Sequence, residues 1–484
     1  MAIDTDIQLL KKRRTKIVAT LGPASDSPEV IARLIQAGVN VFRLNMSHGE
    51  HETHQRNFQR LRDAAAAANS PIAVLADLCG PKIRVGRFAG GSIDLADGEE
   101  VTITTREVEG KPGLIPSQYT ALAGDVKEGD RVLLADGVME LRVEDVQGTE
   151  IKCRVMEGGK LGDRKGINLP GVNVSAPSLT EKDRVDAEFA LNLGVDFIAL
   201  SFVRSAKDVQ QLKDVITEHS HHAAIVAKIE RPEALEDSEA VIKTADAIMV
   251  ARGDLGVELP PEQVPVAQLQ LIDQARRFNR PVIVATQMLE SMIENARPTR
   301  AEVADVSLTV ASGADAVMLS AETAAGAHPV QAVEMMNRIA RQTEGYLWRH
   351  GAFGSIALKH DAEEPLSFGD ALARSTAQLS RDLLVRAVLV VSQTGRSTTT
   401  VSSARPAAPV IAVTSSPQTC RRMNLLWGVL PVDASKADLK DPIALARRVA
   451  QEEELAGPGD TLLVVRGFNT DTQRNTPSVT VVSI

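Results

Sequence analysis

Short apolar runs recur along the chain, and each of them ends on a polar or charged residue. The run at residues 223–230 closes with Lys228 and Glu230, and the run at residues 247–254 closes with Asp254. A continuous apolar body without polar alternation is typical of a parallel β-strand that is buried on both faces. Because an unpaired buried charge is costly, the charged ends must meet water, an opposite charge or a metal ion.

Eight such runs, with helical signals between most of them, predict an α/β fold, a (β/α)8 barrel of the TIM type. Ser27 opens a helical segment that ends at Gly38, and Thr180 opens another that ends at Gly194. In this architecture the active site is built at the face where the strands end. The eight predicted strands are residues 16–20, 40–47, 72–77, 196–201, 223–230, 247–254, 281–286 and 316–322.

Two regions depart from this pattern. The connection between the third and fourth predicted strands is too long for one helix, and its short Val, Ile, Leu and Thr runs alternate with Gly-containing turns. It predicts a small inserted β-barrel domain that covers the active site as a lid. Beyond the barrel, four further strands alternate with helices, which predicts a C-terminal α/β domain. The predicted boundaries are 1–81 and 172–345 for the barrel, 82–171 for the lid and 346–484 for the C-terminal domain.

Composition narrows the class of protein. A chain of 484 residues with 44% hydrophobic residues is large enough for about three domains with sizeable cores. The net charge of −9 argues against general nucleic-acid binding, and no apolar stretch approaches the length of a membrane span. The three cysteines are isolated from one another and fit a reducing compartment, so we expect a cytoplasmic protein.

The charged strand ends carry the candidate chemistry. Glu230 and Asp254 beside Lys228 suggest a hard-cation site with an ammonium group next to it, which suits phosphate chemistry. Two structural salt bridges at strand ends are the alternative. The chain has no Gly-x-x-x-x-Gly-Lys-Ser/Thr loop, so any nucleotide chemistry is not that of a P-loop protein.

Seven segments carry a resemblance to a known family, residues 15–23, 43–49, 227–230, 249–256, 285–292, 297–302 and 318–323. Together and in this order they resemble the pyruvate kinase family. The resemblance covers nearly the whole chain, including the inserted lid and the C-terminal domain. It implies a glycolytic, homotetrameric, allosteric phosphotransferase that moves the phosphoryl group of phosphoenolpyruvate to ADP, giving pyruvate and ATP, with Mg²⁺ or alternatively Mn²⁺.

The resemblance also implies roles for individual residues. Glu230 and Asp254 would hold magnesium, and Lys228 would neutralise the phosphoryl group in transfer and the enolate left behind. Arg43 would bind the phosphate through two N–H groups of its guanidinium, a bidentate geometry that Arg offers and Lys does not. The backbone N–H groups of Gly253 and Asp254, which open a turn, would receive the substrate carboxylate. Thr286 would also bind substrate and, together with Ser320 and Glu322, would relay the proton that converts the enolate to pyruvate. The implied nucleotide-binding residues are Asn45, His48, Arg84 and Lys182.

One departure from the family pattern bears on potassium. Asn45, Ser47 and Asp77 match family positions that supply oxygens to a bound potassium ion. Lys82 stands where potassium-requiring members carry Glu, and a fixed ammonium group can replace a bound cation while repelling a second one. We therefore predict that activity does not require potassium and that these three oxygen-bearing residues are vestigial as a metal site. A Lys82 that points to solvent at the lid hinge is the alternative.

A second departure bears on regulation. Ser392, Thr394, Arg396 and Ser397 lie between a predicted strand and a predicted helix, which in physical terms is a phosphate site, and they resemble the effector loop of the family. Gln393 falls where members that respond to fructose 1,6-bisphosphate often carry Lys. The missing charge favours an effector with a single phosphate, a sugar monophosphate or AMP. A plain loop rich in Ser and Thr is the alternative.

Two other functions remain compatible with the residues themselves. A magnesium-dependent enolate lyase or mutase would also place Lys, Glu and Asp at the strand ends, but it needs neither ADP nor a β-rich lid. A non-catalytic sensor of sugar phosphates would bind ligand without turnover, although nothing at the expected catalytic positions looks inactivated.

Overall fold

The structure is a computed structural model, and it describes residues 12–351, 353, 366–436, 438–469, 471 and 473–484. Eight parallel strands close into a barrel in the order β1-β16-β15-β14-β13-β12-β3-β2. The strands are β1 Lys16–Thr20, β2 Val41–Asn45, β3 Ala73–Asp77, β4 Ser92–Leu95, β5 Glu100–Thr104, β6 Leu114–Pro116, β7 Arg131–Leu134, β8 Met139–Gln147, β9 Glu150–Glu157, β10 Gly159–Gly162, β11 Ile167–Asn168, β12 Phe197–Leu200, β13 Ala224–Ile229, β14 Ala247–Ala251, β15 Val282–Ala285, β16 Ala316–Leu319, β17 Ala387–Val391, β18 Val410–Thr414, β19 Val429–Asp433, β20 Thr461–Arg466 and β21 Ser478–Ser483.

Helices follow the barrel strands, and their ends carry the signals seen in the sequence. Ser27 accepts a hydrogen bond from the Val30 N–H at the start of α1, and Gly38 ends that helix in the left-handed region. Thr180 and Asp183 form a reciprocal capping box at the start of α4. The helices are α1 Pro28–Ala37, α2 His51–Ala67, α3 Leu122–Asp125, α4 Glu181–Leu193, α5 Ala206–Glu218, α6 Pro232–Glu236, α7 Ser238–Thr244, α8 Arg252–Glu258, α9 Val264–Arg277, α10 Arg300–Ala311, α11 Ala321–Ala324, α12 Pro329–Arg349, α13 Phe368–Asp382, α14 Arg396–Ser403, α15 Pro417–Met423 and α16 Pro442–Glu452.

The alternation of side chains along each barrel strand decides which residues enter the site. In β13, Ala224 and Val226 belong to the apolar cluster inside the barrel, whereas Ile225 and Ala227 pack outward against the helices. Lys228 continues the inward series by two residues and therefore lies on the inner face at the strand end. The same alternation brings Asp77 of β3 to the inner face, because Ala73 and Leu75 precede it in the inner cluster.

The inserted lid is built from a six-stranded sheet in the order β11-β7-β8-β9-β5-β6 and a two-stranded sheet of β10 and β4. The edges of the larger sheet are joined by an extended segment in which Arg84 pairs with Gly166 and Val85 pairs with Ser117. The lid has an apolar cluster of its own, from Ile83 to Val174. The chain enters the lid after β3 and leaves it before α4, so both hinges lie at the face where the barrel strands end.

The C-terminal domain is a five-stranded sheet in the order β19-β18-β17-β20-β21, parallel except for the antiparallel pairing of β21 with β20. Four of these strands were predicted, and β19 was missed. Its five residues include Pro431, which removes a backbone donor and weakens the sequence signal for a strand. A proline is tolerated there because β19 is an edge strand.

The opposite face of the barrel, where the strands begin, packs against the C-terminal domain. Lys16 Nζ donates to the Val429 carbonyl at 2.6 Å, and Arg405 pairs with Asp315 at 3.0 Å between Nη1 and Oδ1. Glu344 accepts hydrogen bonds from the backbone N–H groups of Arg14 and Thr15 at 2.8 and 2.7 Å. The buried side chains of Lys16 and Arg405 therefore join the two domains, and Glu344 fixes the segment before β1 within the barrel.

Candidate active site

Lys228 is the centre of the charged cluster at the strand ends. Its Nζ donates to Ser201 Oγ at 2.7 Å and lies 2.9 Å from Glu230 Oε1 and 3.3 Å from Asp77 Oδ1. Burial disfavours the charged form of an amine that is only 11% exposed, but Asp77 and Glu230 outweigh that cost and raise the pKa of Lys228 above its usual range. Lys228 is therefore a fixed positive charge at neutral pH.

Asp77 also holds Arg43 in place. Arg43 Nε lies 2.6 Å from Asp77 Oδ2, and its Nη1 donates to Thr20 Oγ1 at 3.2 Å. Burial by itself would raise the pKa of Asp77, yet the charges of Lys228 and Arg43 hold it below the ordinary value. One buried carboxylate thus orients two cations on the inner face of the barrel.

Glu230 and Asp254 supply oxygens next to these cations. Glu230 Oε2 accepts a hydrogen bond from the Phe202 N–H at 2.7 Å, and Phe202 adopts a positive φ of 54°. Burial raises the pKa of Glu230, Lys228 opposes the shift, and the charge of Asp254 adds to it. Asp254 lies in the first turn of α8, and no hydrogen bond or ion pair within the described ranges engages its side chain.

These carboxylates fit a magnesium ion. Within the described part of the chain, Glu230 Oε1 is buried without a well-oriented hydrogen bond, and the Asp254 carboxylate is partly exposed beside it. Magnesium usually takes one or two carboxylates and completes its shell with water and substrate phosphates, so two acidic side chains suffice. No group of three or more His, Cys, Asp or Glu residues with metal-binding geometry occurs among the residues that the structure describes.

One of the two backbone N–H groups predicted to bind the substrate carboxylate is already hydrogen-bonded to Thr286. The Gly253 N–H donates to Thr286 Oγ1 at 2.7 Å, and that hydroxyl in turn lies 2.6 Å from the Ala285 carbonyl. Residues 252–258 form helix α8 instead of the turn expected from the sequence, because the chain continues in helical hydrogen bonding after β14. Thr286 itself has a φ of 69°, an unfavourable conformation for a β-branched residue, directly at the end of β15.

Glu322 is tied to the backbone. Its Oε2 accepts the Ser320 N–H at 2.7 Å and its Oε1 accepts the Leu289 N–H at 3.2 Å. Burial raises the pKa of Glu322, and these backbone hydrogen bonds partly offset the shift. Glu322 therefore fixes the loops that follow β15 and β16, and Ser320 is more exposed than Glu322.

The predicted nucleotide-binding residues fall in two places. Asn45 Oδ1 accepts the Ser47 N–H at 3.1 Å, and the His48 carbonyl lies 2.8 Å from His54 Nε2. Lys182 reaches this loop from α4, because its Nζ donates to the Met46 carbonyl at 3.0 Å. Arg84 lies apart, in the lid hinge, where its Nη1 donates to the Arg164 carbonyl at 3.0 Å.

Lys82 is exposed and lies at the cleft between the lid and the barrel. Together with Asp136 of the lid, it lines a cavity of about 690 Å³ whose barrel side is formed by Arg252, Gly253 and Asp254. No ion pair of Lys82 occurs in the ranges that the structure describes. Lys82 therefore lines this cleft as an exposed side chain.

The predicted effector loop is only partly open to a ligand. Ser397 Oγ donates to Ser392 Oγ at 2.9 Å, and Ser392 Oγ accepts the Gly395 N–H at 3.1 Å, so the two buried serines stabilise the loop itself. Thr394 and Arg396 instead line a cavity of about 420 Å³ between the C-terminal domain and the barrel. The prediction that all four residues bind a phosphate stays a prediction, and the hydroxyls of Ser392 and Ser397 are hydrogen-bonded to each other within the loop.

Several residues near these sites were not assigned from the sequence. Ser201 ends a predicted strand, and that position was its only signal. Arg280 and Arg422 line the interdomain cavity beside Arg396, but they lie far apart in the chain. Arg231 and Glu258 form a buried ion pair close to Glu230 and Asp254 in the chain, and Arg and Glu are residue types that usually lie at the surface.

Comparison with known proteins decides the family. A sequence model described as the pyruvate kinase barrel domain matches residues 12–333, and one described as the pyruvate kinase alpha/beta domain matches residues 370–482. The chain belongs to the pyruvate kinase family. The predicted family, fold class and phosphotransferase function are therefore confirmed.

Similar pyruvate kinases come from distant organisms. Pyruvate kinase 2 of Synechocystis is 43% identical over 460 residues, which are 94% of this chain and 76% of the relative. The pyruvate kinase of Agrobacterium vitis is 42% identical over 475 residues, covering 98% of this chain and 97% of the relative. A crystal structure of a pyruvate kinase from Cryptosporidium parvum superposes with a TM-score of 0.89 at 36% identity, covering 99% of this chain and 97% of that one. No helix in the described residues is long and apolar enough to cross a membrane.

Proposed function

We propose that the charged cluster around Lys228 carries out the reaction of the family, the transfer of the phosphoryl group of phosphoenolpyruvate to ADP. The observation that carries this proposal is the environment of Lys228. Its ammonium group is held by Ser201, Asp77 and Glu230 at the strand ends, under the lid. A preorganised charge of this kind stabilises negative charge that develops during transfer, and it does so without reorganising water.

The neighbouring residues would bind and orient the reactants. Arg43, oriented by Asp77, would hold the transferring phosphate, and Lys228 would face both that phosphate and the enolate oxygen. Glu230 and Asp254 would hold magnesium, which would neutralise negative charge on the oxygens of the reactants. The Asp254 N–H and Thr286 are the proposed contacts of the substrate carboxylate, and the Gly253 N–H joins them where the substrate displaces the Thr286 hydroxyl.

A proton must reach the enolate to give pyruvate. Thr286 and Ser320 end adjacent strands, and we assign the relay to their hydroxyls and to bound water. Glu322 would support the relay by fixing the Ser320 backbone. The nucleotide would lie along Asn45, His48 and Lys182, with Arg84 brought to its phosphates by the lid.

The reaction requires no potassium in this proposal. Asp77, one of the residues that match potassium ligands, is already neutralised by Arg43 and Lys228. Lys82 adds a permanent charge to the cleft that also contains Asp254. A monovalent cation would therefore meet more positive charge here than in members with Glu at that position.

A phosphorylated effector would bind in the cavity between the C-terminal domain and the barrel. Three guanidinium groups, those of Arg280, Arg396 and Arg422, line it with one carboxylate, that of Asp246. Burial lowers the pKa of Arg280, Asp246 opposes that shift, and the nearby charge of Arg396 adds to it, so an anion would relieve like-charge crowding. The proposed effector is a sugar monophosphate or AMP, acting on a cytoplasmic homotetramer.

A coupled assay tests the catalytic proposal. Pyruvate should form from phosphoenolpyruvate and magnesium only when ADP is present. Turnover that persists without any nucleoside diphosphate would support the enolate lyase or mutase instead, and ligand binding without turnover would support the sensor.

Titration calorimetry tests the effector proposal. Glucose 6-phosphate or AMP should bind the full-length protein, and Arg396→Gln should abolish that binding. Arg381→Gln is the matched control, because Arg381 lies outside the cavity and pairs with Asp382. Tight binding of fructose 1,6-bisphosphate without binding of either monophosphate would contradict the proposal.

A further inference from the structure

One buried ion pair links the two elements that carry the metal carboxylates. Arg231 directly follows Glu230, and Glu258 is the last residue of α8, the helix that carries Asp254. Arg231 Nη1 lies 2.7 Å from Glu258 Oε1, and the two side chains are only 9% and 2% exposed. The pair therefore joins the end of β13 to the far end of α8.

The same arginine holds the lid. Arg231 Nη2 donates to the Val172 carbonyl at 3.0 Å, in the segment by which the chain returns from the lid to the barrel. Arg204 Nη1 donates to the Val174 carbonyl in the same segment. Among the described residues Arg204 makes no ion pair with α8, whereas Arg231 contacts both the hinge and that helix.

We propose that Arg231 and Glu258 are positioning residues that couple the seating of the lid to the spacing of Glu230 and Asp254. The inference rests on the proposed magnesium site. A planar guanidinium group cannot turn one Nη atom without moving the other, so a displaced hinge carbonyl pulls on Glu258 and hence on α8. Because the pair is buried, loss of Arg231 leaves Glu258 uncompensated, and α8 must shift to hydrate or cover that charge. Loss of Glu258 leaves Arg231 with only the longer contact to Glu233 and releases α8 from the hinge.

The chain offers matched controls for this idea. Arg204→Met removes the other hinge contact without touching α8. Glu233→Gln removes a second carboxylate of Arg231, which lies 3.4 Å from Nη2 and belongs to α6, not to α8. Arg231→Lys keeps the charge but carries all its donors on one nitrogen, so it cannot span Glu258 and the hinge carbonyl as the two Nη atoms do.

The test measures Mn²⁺ binding to the full-length protein by electron paramagnetic resonance, without substrates, and then KM for ADP and kcat. We expect Arg231→Met and Glu258→Gln each to weaken Mn²⁺ binding and to raise KM for ADP by about tenfold. The double variant should be little worse than either single one, since both act on one contact. Arg204→Met and Glu233→Gln should stay within about twofold of the parent, and Arg231→Lys should fall between the two groups.

Unchanged Mn²⁺ affinity in Glu258→Gln would overturn the coupling, and so would an equal loss in Arg204→Met. If Arg231→Met fails to fold, as a thermal melt would show, the nearly isosteric Glu258→Gln decides alone. The Mn²⁺ readout needs no turnover. If the parent and the variants rank in Mn²⁺ affinity as predicted but the parent forms no pyruvate, the proposed function is refuted and the coupling stays intact.

Discussion

Lysines project into the barrel at both of its ends, and their environments have opposite effects on charge. Lys228 at the strand ends lies against Asp77 and Glu230, which raise its pKa. Lys16, at the start of β1, is 3% exposed, and burial lowers its pKa to about 7. Arg13 and Arg14 add to that shift, while Glu344 and Asp315 oppose it. The comparison teaches that the neighbouring carboxylates, more than depth of burial, decide whether a barrel lysine remains a cation.

The largest expected effect separates the two lysines by turnover. Lys228→Met should lower kcat by about 10³-fold, because the lost charge acts mainly in the transition state. Lys16→Met, which removes the same group at the other end of the barrel, should stay within about twofold of the parent. Steady-state pyruvate assays at saturating substrates check both. Similar losses in the two variants would show that the barrel needs both amines for its structure.

A smaller effect tests what keeps Lys228 charged. Asp77→Asn preserves shape but removes the carboxylate that contacts both Arg43 and Lys228. Arg43 would then lose its carboxylate partner and Lys228 would keep only Glu230 at ion-pair distance, so we expect kcat to fall by about 10- to 100-fold with a lowered melting temperature. Activity assays and calorimetry on the same preparation measure this. A fully active Asp77→Asn protein would remove Asp77 from the account.

Part of this comparison could be read from the sequence and part could not. The positions of Lys228, Glu230 and Asp254 at the ends of strands could be predicted from apolar runs and period-two alternation, which are local signals. The pairing of Asp77 with Lys228 is not local, because β3 and β13 lie on either side of β12 in the closed barrel. The hydrogen bond between Ser392 and Ser397 could not be read from the sequence for a related reason, since it depends on the folded loop.

A further prediction concerns the cation in the cleft. Activity in sodium-free and potassium-free buffer should change by less than about twofold on addition of potassium chloride, because Lys82 already supplies a charge there. Tetramethylammonium chloride is the control for ionic strength. Strong activation by potassium alone would show that Asn45, Ser47 and Asp77 still form a metal site.

The smallest expected effect concerns stability at the other end of the barrel. The folded protein holds the pKa of Lys16 at about 7, against an ordinary value of 10.5. Between these values the unfolded chain binds a proton that the folded protein does not, so this group makes stability rise from about pH 7 towards pH 10 and adds no slope below pH 7. Lys16→Met should flatten that rise in melting temperature. Parallel curves for parent and variant would contradict the lowered pKa.

Metal binding by Lys228→Met tests the central claim most directly. Mn²⁺ affinity, measured by electron paramagnetic resonance, should stay within about threefold of the parent, while ATP formation from phosphoenolpyruvate and ADP on the same sample should be nearly lost. That result would make Lys228 a charge used in phosphoryl transfer. Loss of Mn²⁺ binding in parallel with turnover would make it a structural anchor for Glu230, and near-parental turnover would contradict the account outright.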